Sequence, residues 1–133
     1  MTAVAEGFGL SRIGQIAMTV HDLAGAVAFY RDVLGMRFLF EAPPAMAFFD
    51  CGGVRLMVED RSIIDDPSLH NDSVLYFQVA DIHAAQEELT RKGVTFTGAP
   101  HMIYRHPDGT EEWLTFFQDP GGGLLSLISQ KKP

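Results

Sequence analysis

The final third of this 133-residue chain repeats the plan of its first third. Ala17-Met18-Thr19-Val20 runs into Asp22-Leu23 and a helix-patterned stretch ending at Gly35-Met36-Arg37-Phe38. Tyr76-Phe77-Gln78-Val79 runs in the same way into Asp81-Ile82 and a second such stretch ending at Gly93-Val94-Thr95-Phe96. Val20 and Val79, Asp22 and Asp81, and Ala26 and Ala85 share one constant offset, whereas Gly35/Gly93 and Phe38/Phe96 share that offset less one residue. An internal duplication is the simplest explanation. Two copies of a strand, helix, strand unit must bury their apolar faces against something, and the surface between them is the natural place for a ligand.

The length suits one domain built from two modules better than two independent domains, and 47% hydrophobic residues suffice for a real core. The modules are expected at about 13–60 and about 73–130, joined by a polar linker at about 61–72 in which Ile63 and Ile64 suggest a partial fold back. A formal charge of −7, with the ten Lys and Arg scattered, argues against a nucleic acid or an anionic membrane as partner. The sequence holds no apolar run of about eighteen residues, and Met1 to Arg12 lacks the basic flank and apolar stretch of a signal peptide. The expectation is a soluble cytoplasmic protein. One cysteine, Cys51, excludes an internal disulfide and the paired-thiolate pattern of structural zinc sites.

Leu23, Ala26, Val27, Tyr30, Val33 and Leu34 recur at helical spacing, with Asp22 placed to cap the first turn and Gly35 to end the last. A second helix is expected from Asp81 to about Lys92, on the thinner stripe of Ile82, Ala85 and Leu89. Eight short segments rich in branched and aromatic residues read as strands: Gln15 to Val20, Met36 to Phe40, Met46 to Phe49, Val54 to Val58, Ser73 to Val79, Val94 to Thr97, Glu112 to Phe117 and Leu124 to Ser129. Pro43-Pro44, Gly52-Gly53, Pro107-Asp108-Gly109 and Asp119 to Gly123 supply the turns.

The order strand, helix, three strands, occurring twice, joins the phrases Val20-His21-Asp22-Leu23, Phe29-Tyr30-Arg31-Asp32-Val33-Leu34-Gly35-Met36 and Phe117-Gln118-Asp119-Pro120-Gly121-Gly122. Together they resemble the vicinal oxygen chelate superfamily of glyoxalases, bleomycin-resistance proteins and extradiol dioxygenases, over nearly the whole chain. The resemblance implies an α+β fold, two βαβββ modules forming a curved, incomplete barrel-like mixed sheet, commonly paired as a homodimer. It also implies a divalent metal held on the concave face by the first and last strands of each module, by His or Gln and by Glu.

Carried over residue by residue, the family's ligand positions fall at Gln15, at Leu56 or Met57, at Val74 and at Ser126. Period-two alternation sets the facing. Ile16, Met18 and Val20 lie against the helix with Gln15, Ala17 and Thr19 inward; Leu75, Phe77 and Val79 lie against it with Val74, Tyr76 and Gln78 inward. Val54, Leu56 and Val58 are likewise the apolar set, so Arg55, Met57 and Glu59 face in and Met57 takes the ligand position. Of the four positions, only Gln15 is a competent donor for a hard cation; valine has no donor atom, methionine offers a thioether and serine a weak neutral oxygen. The sequence therefore departs from the family's metal pattern. The nearest substitute carboxylate is Glu59, two residues out of place.

None of the five histidines shows paired metal spacing, so His21, His70 and His83 read as surface residues. His101 and His106 flank Tyr104 in a stretch expected to be irregular, where His101 could border the cavity as a general base or stand there without a role. Trp113, Thr115 and Phe117 form one row and Leu114 and Phe116 the other; the tryptophan row is expected in the cavity beside Tyr76, either for a flat apolar ligand or simply filling the trough. Arg55 could hold a ligand's carboxylate or phosphate, or pair with Glu59 or Glu112. Cys51 reads as structural, and Gly121-Gly122-Gly123 as a hairpin turn and not a phosphate loop.

Three functions follow. The first is a metal-free protein that binds a small aromatic or hydrophobic molecule in the concavity, lined by Gln15, Arg55, Met57, Val74, Tyr76, Gln78, Trp113, Thr115, Phe117 and Ser126. The second is a glyoxalase-type lyase, isomerase or dioxygenase using one Zn, Ni, Fe or Mn ion, with Gln15, Glu59 and a rim histidine. The third is a metal-free enzyme with Tyr76, His101 and Glu59 in acid/base roles. The poor donor set ranks the first ahead, with no cofactor expected.

Overall fold

Each copy of the repeat begins with a strand that runs into a helix capped by an aspartate. β1 (Gln15–Val20) leads into α1 (Leu23–Ala28), where the Asp22 carboxylate accepts a hydrogen bond from the Gly25 amide at 3.2 Å. β5 (Leu75–Gln78) leads into α2 (Ile82–Arg91), where Asp81 does the same for the Ala84 amide at 3.1 Å. In both copies the carboxylate satisfies a backbone donor that the first helical turn leaves open. The computed structural model describes residue 9, residues 11–62 and residues 73–133. Most of the linker, with Ile63, Ile64 and His70, lies outside the described residues.

The one-residue change of offset has a structural counterpart. α1 passes into a π-helical turn, Phe29–Val33, in which the Leu34 amide donates to the carbonyl of Phe29 at 3.0 Å, five residues back. A π turn accommodates one residue more than an α turn, and it lies between Ala26 and Gly35, where the first copy is one residue longer.

The first module continues with β2 (Arg37–Ala42), β3 (Met46–Cys51) and β4 (Val54–Asp60), and the second with β6 (His101–Arg105), β7 (Glu111–Gln118) and β8 (Leu124–Lys131). Each makes a four-stranded mixed sheet, in the orders β1-β4-β3-β2 and β5-β8-β7-β6, with the first-listed pair parallel and the others antiparallel. The architecture is α+β, two βαβββ modules with curved, incomplete barrel-like sheets. Register shifts between Phe38 and Phe40 and between Met102 and Tyr104 mark bulges in the edge strands β2 and β6, where a strand bends most readily.

One strand is misplaced by the sequence pattern. Val94 to Thr97 forms a single bridge, Phe96 to Phe117, and the edge strand begins instead at His101. Pro100 intervenes, and proline has no amide to donate into a ladder.

Alternation sends Met18, Val20, Leu56, Val58 and Phe49 of the first sheet, and Phe117, Leu125 and Leu127 of the second, into one cluster with Tyr30 of the π turn. Tyr30, Phe49, Phe117 and Leu125 are fully buried. At about 1.5–3 kcal/mol for each large apolar side chain removed from water, this shared core dominates the attraction between modules. The opposite face of each sheet is left outside it.

Candidate functional site

The faces turned away from the core are set by strand register. In the first module, Gln15 stands opposite Arg55, Ala17 opposite Met57 and Thr19 opposite Glu59 across the β1/β4 pair. Phe48 stands opposite Met57 across β3/β4, and Phe40 opposite Phe48 across β2/β3. The two phenylalanine rings stack with centroids 4.5 Å apart. Phe40 and Phe48 are members of this face that the sequence reading missed, although the full burial of Phe49 obliges Phe48 to point the other way.

Arg55 organises this surface. Its Nε donates to Gln15 Oε1 at 2.7 Å, and its guanidinium lies 5.2 Å from the Phe48 ring centroid, within cation–π range. Gln15 in turn points its Nε2 at the Met57 sulfur, 3.9 Å away. Neither ion pair anticipated for Arg55 forms: Glu59 lies 3.8 Å from Arg61 Nη1, and Glu112 bonds to His106 and Gln130. The remaining guanidinium N–H groups of Arg55 have no partner among the described residues.

The second module corrects the expected tryptophan row. Trp113, Thr115 and Phe117 stand opposite Ser129, Leu127 and Leu125, and so face the core and not the concavity. Phe117 is fully buried, Thr115 Oγ1 donates to Gly98 O at 3.0 Å, and Trp113 packs edge-on against His83 of α2 at 5.3 Å while donating to Glu111 at 2.9 Å. The row on the other face is Leu114 and Phe116, with Phe116 6.2 Å from the ring of Tyr76. Both rows of β7 are apolar, so alternation alone does not tell which one a helix covers.

Ser126, paired with Tyr76 across β5/β8, has no exposed surface; its hydroxyl lies 2.8 Å from Thr115 O and 3.1 Å from Leu127 O. It is a strand-to-strand tie and not an open cavity wall. Val74 is half-buried just ahead of β5, and Gln78 is exposed on the Tyr76 side.

The three acid/base candidates stand apart. Glu59 belongs to the first sheet, Tyr76 to the parallel pair of the second and His101 to its far edge, where its Nδ1 is 3.4 Å from Ala99 O. A different histidine has a carboxylate partner: His106 Nε2 is 2.7 Å from Glu112 Oε2, which also accepts from Gln130 Nε2 at 2.8 Å. The hydrogen bond from His106, followed by that from Gln130, holds the Glu112 carboxyl below its usual range. Cys51 is half-buried, and desolvation aided by Asp50 pushes its thiol up, the opposite of what a nucleophile needs. His21 borders a cavity of about 400 Å³ with Asp22, Asp119 and the Gly121 to Gly123 turn. That triglycine is the β7–β8 hairpin turn, as its sequence suggests.

The donor set does not fit a divalent cation. The amide oxygen of Gln15 is engaged by a guanidinium, Met57 offers sulfur, Val74 offers nothing and the Ser126 hydroxyl, a weak neutral donor, is fully buried. A permanent positive charge bonded to the one hard donor repels a metal ion. Among the described residues no three of His, Cys, Asp and Glu come together in a metal-binding group, and no helix is long and apolar enough to cross a membrane.

Comparison with known proteins identifies the architecture. An uncharacterized protein of Bacillus subtilis, YraH, is 27% identical over 127 residues, spanning 85% of this chain and 94% of its own. The crystal structure of lactoylglutathione lyase from Agrobacterium tumefaciens superposes with a TM-score of 0.68 at 23% identity, covering 90% of this chain and 93% of that one. A glyoxalase/bleomycin resistance protein/dioxygenase superfamily member from Sphaerobacter thermophilus gives 0.71 at 24% identity, covering 90% and 98%. The family model described as Glyoxalase/Bleomycin resistance protein/Dioxygenase superfamily matches residues 12–127, nearly the whole chain. Two capped βαβββ copies with the same strand order in each, and a sequence match that runs through both, make this chain a member of the glyoxalase/bleomycin resistance protein/dioxygenase superfamily.

Proposed function

We propose that this protein binds a small aromatic or hydrophobic molecule on the concave sheet face and does so without the family's metal. The observation that carries the reading is the 2.7 Å hydrogen bond from Arg55 Nε to Gln15 Oε1. The guanidinium engages the one hard donor a cation would use, and the stacked pair Phe40 and Phe48, with Phe40 45% exposed, offers an aromatic floor beside it. Metal content tests the proposal. Protein purified without chelator should carry far less than one equivalent of nickel, zinc, iron or manganese by elemental analysis, and a stoichiometric ion would establish the metal-dependent alternative instead.

The proposal includes a homodimer, the arrangement common in this family. Met102, Ile103 and Tyr104 on edge strand β6 are 41%, 54% and 54% exposed, an apolar run that a partner would cover. Sedimentation equilibrium should return twice the chain mass. A monomer at high concentration would remove this part of the proposal.

A second reading, a metal-free acid/base enzyme, is favoured by one observation, the pairing of His106 with Glu112, and not by the residues singled out in the sequence. A carboxylate partner fixes the orientation of an imidazole and leaves its other ring nitrogen open to a substrate, as acid/base work requires. Chemical conversion of a bound compound, lost in His106→Gln, would put this reading first.

A further inference from the structure

We infer that the ligand of the concave face is an organic anion, an aromatic carboxylate whose charged end is held by Arg55 and whose ring lies on the Phe48 side of the site. The inference rests on the metal-free reading, because a cation between Gln15 and Met57 would displace the guanidinium. Three features of Arg55 carry it.

The first is unfilled bonding capacity. Of the five guanidinium N–H groups, the one on Nε is directed to Gln15, and those on the two terminal nitrogens have no partner among the described residues. The terminal pair of nitrogens forms a fork whose spacing matches the two oxygens of a carboxylate. The second is uncompensated charge. Asp50 stands opposite Arg55 across β3/β4, yet no described carboxylate lies within ion-pair distance of Arg55. Arg55 is exposed on this face and has no counterion among the described residues, so a ligand's negative group would balance its charge there.

The third is fixed orientation. The bond to Gln15 and the Phe48 ring at 5.2 Å hold the guanidinium plane from two sides, so little side-chain freedom is lost when a ligand arrives. Phe40, stacked on Phe48 and 45% exposed, extends the apolar surface away from the charge. A flat body with a carboxylate at one end meets each of these groups, whereas a neutral flat compound leaves the fork desolvated and unpaired.

The test compares 1-naphthoate with 1-naphthamide, two probes of nearly the same shape that differ in charge. By isothermal titration with the full chain, naphthoate should bind about tenfold more tightly or better, in line with a charge-assisted bidentate contact. Added salt should weaken naphthoate and leave naphthamide unchanged. Amide signals of Ala17, Phe48 and Met57 should move in the naphthoate titration while those of β6 stay still. Arg55→Met should erase the preference; if that variant does not fold, the comparison on the unaltered protein decides. Equal affinity for the two probes, a preference that survives Arg55→Met, shifts confined to another surface, or no naphthoate binding at millimolar concentration would each overturn the anionic assignment. Those results leave the metal-free reading intact, since that reading fails on metal content alone.

Discussion

Tyr30 donates a hydrogen bond from its hydroxyl to Asp119 Oδ2 at 3.1 Å, tying the π turn of the first module to the β7–β8 turn of the second across 89 positions of sequence. The other oxygen of the same carboxylate accepts from the amides of Gly121 at 3.0 Å and Gly123 at 2.8 Å. Tyr30 is fully buried and Asp119 only 9% exposed, so this polar junction sits within the apolar seam between the modules. Its satisfaction is what makes a carboxylate tolerable there.

Tyr30→Phe should lower the free energy of unfolding by about 1–3 kcal/mol, because it leaves a nearly buried carboxylate oxygen without its donor while preserving the ring's packing. Urea denaturation of the two proteins measures this directly. A loss below about 0.5 kcal/mol would mean that water replaces the phenol at no cost.

The same pair sets an alkaline limit. Burial first, then the charge of Asp119 and its hydrogen bond, push the Tyr30 phenol well above its ordinary value. An unfolded tyrosine ionises near pH ~10 and the folded one much later, so this contribution is complete below about pH 10 and is lost as pH rises beyond it. Stability plotted against pH should fall more steeply above that point in the native protein than in Tyr30→Phe. In a spectrophotometric titration, one of the three tyrosines should stay protonated until the chain unfolds.

Gly123→Ala should destabilise by about 1–3 kcal/mol, an overpacking cost. A β-carbon at Gly123 would lie 2.7 Å from Asp119 Oδ2, and Tyr30 keeps that carboxylate from turning aside. Gly121→Ala is the control, since its β-carbon meets Asp119 at an ordinary 3.6 Å. Thermal unfolding of both variants should separate them.

At the acid end, Glu112 is the group to follow. Its bonds to His106 and then to Gln130 depress its folded value below that of a free carboxylate, near ~4.3. The stabilisation is therefore present above about pH 4.3 and disappears as pH falls through the lower folded value. Carboxyl carbon shifts in a pH titration should place the Glu112 midpoint below the free value, and His106→Gln should return it upward. An unshifted midpoint in the native protein would contradict the hydrogen-bonded geometry.

The duplication, the capped helices and the strands of the first sheet were legible in the sequence because apolar and polar residues alternate cleanly there. Gln15 and Arg55 come out on the face opposite Ile16 and Leu56 for that reason alone. β6 gave no such signal: all five of its residues are exposed, so no face is distinguished by hydrophobicity. In β7 the difficulty was the reverse, with Trp113 and Phe117 on one side and Leu114 and Phe116 on the other equally apolar. The bond between Arg55 and Gln15 was also beyond reach, since it depends on a parallel register that joins residues 40 apart.

Equal halves need not remain equal in length to remain in step. A widened coil turn between Ala26 and Gly35 swallows a surplus residue before the chain enters β2, leaving every strand downstream at its accustomed height. The same addition within β4 would exchange inner for outer along the rest of the strand, casting Leu56 and Val58 toward solvent. In this architecture, then, length variation is harmless along the helix or at a bulged edge strand, and ruinous in an inner strand such as β4.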